Sequence, residues 1–162
     1  PNRELLLDAT GIIADDLVAD LPVLGVDVGL GHLIVPVTSL GALLNARMNI
    51  TALRSLCESV GVREAQLFTF ETHSKEFDLF TRNFTPREGL EDPACGNGNG
   101  ALGAYLARTK YSSSGSFSLR AEQGHTIDMP SVIEISVKVD SENLEVSIGG
   151  SAIQMVHGTI IV

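Results

Sequence analysis

Apolar and polar residues alternate most regularly in the last third of the chain. Ile133, Ile135, Val137 and Val139 are separated by Glu134, Ser136 and Lys138, and Leu144, Val146 and Ile148 by Glu145 and Ser147. A period of two puts one set on one face, so these runs predict an antiparallel hairpin with one buried side, turned by Asp140 to Asn143. Gly149 and Gly150 then bend the chain, and Ala152 to Val156 and Thr159 to Val162 read as further strands. Upstream, Gly25 to Val28 and His32 to Val37 read as strands parted by Gly29 and Gly31. Pro36 lacks an amide hydrogen and points to a sheet edge. Ala65 to Phe70 and Phe77 to Phe84 read as two more strands with a polar connection.

The helical periods are fewer. Arg3 to Ala9 carries Leu5, Leu6 and Leu7 before Gly11. Ser39 is a suitable N-cap for a short helix through Arg47. Thr51 to Val60 places Leu53, Leu56, Cys57 and Val60 at helical spacing, and Gly61 ends it. Asp15 to Pro22 is open between loop and short strand. Pro86 to Gly100 reads as loop, and Ser112 to Gly115 as a flexible break. Between them, Ala101 to Thr109 has almost no polar face, and a short helix that is apolar all round has to be buried. No short-period repeat is present. The pattern as a whole predicts one sheet-rich α+β domain over residues 1–162, with a buried helix entered from a glycine-rich loop.

Composition narrows the function classes. With 44% hydrophobic and 19% charged residues the chain is globular in balance. No apolar run is long enough to span a bilayer, and no membrane partner is expected. The formal charge of -9 repels phosphate backbones, so nucleic acid is not an expected partner. Cys57 and Cys95 are the only cysteines, too few for a disulfide framework; with no signal-peptide pattern visible, they predict a cytoplasmic, reducing setting. The chain begins with Pro1, so the numbered sequence need not be the primary translation product.

The chemistry concentrates in Glu91-Asp92-Pro93-Ala94-Cys95-Gly96-Asn97-Gly98-Asn99-Gly100. A glycine-rich segment opening a helix exposes main-chain N–H groups, and the helix dipole adds partial positive charge. A carboxylate or phosphate is the natural ligand of Gly96, Asn97, Gly98, Asn99 and Gly100. Cys95 stands at that positive end, where thiol pKa values tend to fall, and Asp92 precedes it across the rigid Pro93. Together they suggest proton transfer beside a bound carboxylate. The same residues also serve as a plain turn and cap. Gly98, Gly100 and Gly103 spell a literal G-x-G-x-x-G with Glu122 downstream, a dinucleotide pattern. Against that reading, no strand leads directly into the motif and the rest of the chain is antiparallel. His32, His73, His125 and His157 are scattered without metal-ligand spacing, so no metal is expected. Cys57 sits on an apolar helix face and reads as core. A base role for Pro1, as in tautomerases, has no other support.

Several runs in order resemble the second-half signature of the PhzF-like phenazine-biosynthesis family. They are Arg82-Asn83-Phe84-Thr85-Pro86, Glu91-Asp92-Pro93-Ala94-Cys95-Gly96 and Asn99 to Leu106, then Gln123-Gly124, Met129-Pro130-Ser131, Ile148 to Ala152 and Gly158-Thr159. Gly31 to Val37 also fits. The resemblance implies the diaminopimelate epimerase-like fold, in which a curved, mostly antiparallel mixed sheet wraps around a buried central helix. It implies a cofactor-independent isomerase or epimerase moving a proton on a small carboxylic acid. By the same resemblance Asp92 lines the site and assists binding or proton shuttling. Cys95 replaces the usual Thr and is similar to the catalytic cysteine of diaminopimelate epimerase, so acid–base work and simple replacement of Thr both stay open. Asn97 replaces a usual Ser, and Met129 a basic residue.

The resemblance covers only one half of the family's two-domain plan. The other half, which normally carries the principal catalytic glutamate, has no counterpart in this sequence. Four accounts follow: a split enzyme completed by an N-terminal half-domain chain, a fragment, a homodimer of halves, and an inactive binding module. The first two are favoured, and all leave an apolar face in need of a partner.

Overall fold

The structure, a computed structural model, describes residues 1–110, 115–140 and 143–161. Residues 112–114 of the break expected at Ser112 to Gly115, the middle of the Asp140 to Asn143 turn and the last residue of the expected final strand lie outside these residues. In chain order the elements are α1 (Arg3–Thr10), β1 (Leu24–Asp27), β2 (Gly31–Pro36), α2 (Leu40–Asn45), α3 (Ile50–Ser59), β3 (Glu64–Thr69), β4 (Leu79–Thr85), β5 (Leu90–Asp92), α4 (Gly96–Thr109), β6 (Phe117–Gln123), β7 (Ser131–Val139) and β8 (Leu144–Gly149). The strands form one sheet in the order β1-β2-β3-β4-β6-β7-β8, with β5 paired to β4. The β2–β3 and β4–β6 pairings are parallel and the others antiparallel. Helix α4 touches β1, β2 and β3 at one end of that order and β7 and β8 at the other. The sheet therefore curls around the helix, which is the α+β, diaminopimelate epimerase-like architecture the sequence predicts.

Alternation within the strands divides the interior into two cores. Leu33, Val35, Ala65, Leu67, Phe80 and Phe84 face outward against α1, α2 and α3. Ile34, Phe68, Leu79, Ala121, Ile133, Ile135 and Val137 face inward against Ala101, Leu102, Tyr105 and Leu106 of α4. Each of those large helix side chains stabilises the fold by about 1.5–3 kcal/mol through burial. Caps match their sequence signals. The Ser39 side chain accepts the Ala42 amide, and Gly11, at φ 67°, closes α1 in the left-handed region that glycine tolerates. Among the described residues no helix is long and apolar enough to cross a membrane.

The structure corrects three expectations. Pro36 lies in an interior strand, yet its carbonyl accepts the Val18 amide beyond the last β1 pairing at Ile34, so its missing N–H falls where no ladder bond is required. The segment from Pro86 to Gly100 is not all loop: it contains β5 and the first turn of α4. Residues 151–161 form no strand; they are exposed and have no regular structure, because beyond the Gly149-Gly150 bend no neighbouring strand pairs with them.

Arg82 ties the outer layer to the strand that carries the site. It is 5% exposed and donates to Glu91 through Nη2 at 2.6 Å and Nε at 3.0 Å. Its Nη1 caps the end of α2 at the carbonyls of Leu43 and Ala46, at 2.9 and 2.8 Å. Replacing Arg82 by Ala leaves a buried Glu91 carboxylate without its counter-charge. The expected cost is about 3–5 kcal/mol in urea unfolding. The paired change Arg82→Met with Glu91→Gln should cost less; equal losses would show that the ion pair is not the source.

Candidate active site

Helix α4 begins inside the curl of the sheet. Cys95 is its N-cap, with extended backbone, and the Sγ accepts the Gly98 amide at 3.2 Å. Asn99 makes the first main-chain helical bond, to the Cys95 carbonyl. Among the described residues the Gly96 and Asn97 amides carry no hydrogen bond, and both residues are exposed. With Gly100 they line a cavity of about 420 Å³ against Val28, Val146 and Ile148. Gly96 also borders a larger cavity, about 700 Å³, that passes Ala94 and Ser131 and reaches Glu122 and His125. Donors at a helix N-terminus facing open space suit a carboxylate.

Gly98 and Asn99 lie beneath that opening, buried. A Cβ on Gly98 would collide with Gln66 Oε1 and stand 2.8 Å from Asn83 Nδ2, and one on Gly103 would stand 2.8 Å from Ile135 Cγ2. The glycines of the G-x-G-x-x-G run thus all lie within α4, with Gly98 and Gly103 packed against the sheet, and form no phosphate turn between strand and helix. Glu122 faces the opposite side of the sheet. The dinucleotide reading has no geometric basis here.

Asp92 ends β5 at the rim. Its Oδ1 accepts the Ala94 amide at 2.8 Å, and its carbonyl accepts Gln123 Nε2 at 2.7 Å. Neither Asp92 nor Cys95 lines the two cavities described. The sequence-derived group is therefore divided: the exposed Gly96 and Asn97 and the buried Gly100 line a cavity, Cys95, Gly98 and Asn99 are buried, and Asp92 lines neither cavity.

Facing Cys95 are two residues the sequence does not single out for chemistry. His32 Nε2 lies 3.6 Å from the Cys95 Sγ and 3.1 Å from Glu64 Oε2, while His32 Nδ1 donates to the Leu30 carbonyl at 2.8 Å. The parallel register of β2 and β3 sets His32 opposite Glu64. Full burial pulls the imidazole pKa down, but hydrogen bonds to Cys95, Glu64 and Leu30 outweigh it and raise it to about 9. His32 is then an imidazolium at neutral pH, donating from both nitrogens. Sequence reading gives His32 only a strand start after Gly31 and gives Glu64 no signal, since their meeting depends on strand pairing. Cys57, by contrast, is buried in the outer core, and burial pushes its thiol up to about 12. Pro1 and Arg3 line a separate cavity that shares no residue with the helix start.

Residues 1–158 match the PhzC-PhzF family, described as phenazine biosynthesis-like protein. The chain is 30% identical over 164 residues to an uncharacterized isomerase of Clostridium acetobutylicum, covering 99% of this chain and 54% of the relative. It is 30% identical over 154 residues to the uncharacterized isomerase YfhB of Bacillus subtilis, covering 94% and 52%. The crystal structure of a PhzF-family phenazine biosynthesis protein from Bacillus anthracis superposes with a TM-score of 0.85 at 26% identity, over 93% of this chain and 52% of that one. The chain spans about half the length of the relatives it matches.

The His32 imidazolium contributes stability that is complete below its ordinary pKa of 6.5 and is lost as pH rises through about 9. Urea midpoints measured from pH 6 to 10 should fall across that window. In His32→Gln the fall should flatten; an unchanged slope would mean that other groups titrate there.

Proposed function

This chain belongs to the phenazine biosynthesis-like family, and from that premise we propose that it supplies half of the active site of an isomerase. The substrate is a small carboxylic acid held on the Gly96 and Asn97 amides. The reaction removes a proton from carbon next to that carboxylate and returns one to the same framework. As the carbon loses its proton, negative charge moves into the carboxylate, where the helix-end amides stabilise it. The observation carrying this reading is the pair of exposed first-turn amides, opening on a cavity, at the end of a buried helix.

Asp92 orients the substrate or shuttles a proton at the rim. The principal base comes from a second half, carried on a longer form of this polypeptide, on an N-terminal half-domain chain or on a second copy. Apolar side chains support such a partner: Ile153, Met155, Val156 and Ile160 are all at least 85% exposed. For Cys95 the geometry supports capping, since its Sγ accepts the Gly98 amide as a Thr hydroxyl would. The 3.6 Å approach of His32 favours a second reading, in which Cys95 is itself acid or base.

Titration of the labelled chain with benzoate should shift the Gly96 and Asn97 amide resonances, and benzamide should not. Silence from both amides removes the carboxylate half-site. In the assembled enzyme, Asp92→Asn should lower turnover by about 10²- to 10⁴-fold with the melting temperature preserved; full activity takes Asp92 out of the mechanism.

Cys95→Thr separates the two thiol roles. Capping predicts near wild-type stability and turnover with Thr and a loss with Ala of about 1 kcal/mol. Acid–base work predicts that Thr folds normally and fails to turn over.

A further inference from the structure

The face of the sheet opposite α4 carries a cluster that the isomerase reading does not use. Glu122 on β6 is in register with Phe80 on β4, so both project to that outer face. His73 reaches the same place from the connection between β3 and β4. His125 reaches it from a 3-10 turn that follows Gly124, whose φ of 80° turns the chain sharply after β6. His73 Nδ1 lies 3.7 Å and His125 Nε2 3.6 Å from the same carboxylate oxygen, Glu122 Oε1. All the donor atoms fall within 4.8 Å of one another.

We propose that His73, Glu122 and His125 form a binding site for a zinc-class divalent cation. Geometry and donor chemistry support it. Both imidazole nitrogens approach one oxygen at distances too long for hydrogen bonds, whereas His32 and Glu64 meet at 3.1 Å in a true one. Donors around tetrahedral zinc stand about 3.3 Å apart, so side-chain rotation of the half-exposed histidines closes the set. The carboxylate is already oriented, because Oε2 accepts the His73 main-chain amide at 2.9 Å and the residue is 3% exposed. The Phe80 ring packs against both imidazoles, with centroids 5.1 and 5.4 Å away, and gives the pair an apolar floor. Two imidazoles and a carboxylate suit zinc, cobalt or ferrous ions rather than magnesium or calcium. Three protein ligands leave a coordination position for water, and Glu122 and His125 border the cavity of about 700 Å³.

The test is metal titration of the chelator-stripped chain, read by calorimetry with zinc chloride and by the visible spectrum with cobalt. One zinc per chain is expected, with cobalt bands lacking any thiolate charge-transfer component. Affinity should fall by at least about 100-fold in His125→Ala and in Glu122→Gln, and stay unchanged in Cys95→Ser. His73→Ala provides a further removal from an exposed connection, and thermal melts verify that each variant is folded. The proposal is overturned by a wild-type chain that retains no metal, or by folded His73→Ala and His125→Ala chains that bind as tightly as wild type. It is equally overturned by a thiolate band that disappears in Cys95→Ser, which would place the ion at Cys95, His32 and Glu64. Failure of the isomerase half-site leaves every one of these readings unchanged.

Discussion

A helix can begin inside a curled sheet only if the polar groups at its start find partners there. The Asn99 side chain meets that requirement by donating to the Cys95 carbonyl at 2.9 Å and to Gln123 Oε1 at 2.8 Å. Gln123 in turn accepts from Thr81 and donates to the Asp92 carbonyl, and Asn83 donates to Gln66 at 2.9 Å. These bonds link β3, β4, β5 and β6 to the first turn of α4. Gln66 Nε2, Asn83 Oδ1 and Asn99 Oδ1 have no partner among the described residues. A buried atom of this kind costs about 1–3 kcal/mol unless water or a ligand pairs with it.

The interior is consequently graded along α4. His32, Glu64, Gln66, Thr81, Asn83 and Gln123 surround the helix start, and Ile34, Phe68, Leu79, Ala121 and Ile133 surround its body. The same strands supply both sets, one pleat apart. The apolar end fixes the helix against the sheet, and the polar end fixes the direction in which its free amides point. Glycine at 98 and 103 allows the close approach on which both ends depend. Helix propensity alone would not start a helix at Gly96; tertiary packing does.

Charge makes this local arrangement decisive. The chain carries -9 overall, which opposes the approach of any anion. Screening limits that repulsion to about 8 Å at physiological salt. Within that range the helix N-terminus sets the potential, because the His32 imidazolium is paired with Glu64 at 3.1 Å. On the outer face, Glu122 presents buried negative charge to two imidazoles. The two clusters share one sheet and face opposite ways, so they suit ligands of opposite sign.

Much of this was legible in the residues themselves. Period-two runs located β7 and β8, helical spacing located α3, and the unbroken apolar stretch from Ala101 onward required a buried helix. The ordered motifs from Arg82 to Gly103 pointed to the family and to Asp92, Cys95 and the glycines as a site. All of these signals lie within a few turns or pleats of chain, the range over which sequence pattern reports burial. Only the folded chain brought His32 and Glu64 to Cys95, packed Gly98 and Gly103 against the sheet and gathered His73, Glu122 and His125. Those outcomes depend on strand register and sheet curl. Both are set by the sum of many side chains seeking burial together, and no local window of the sequence contains that sum.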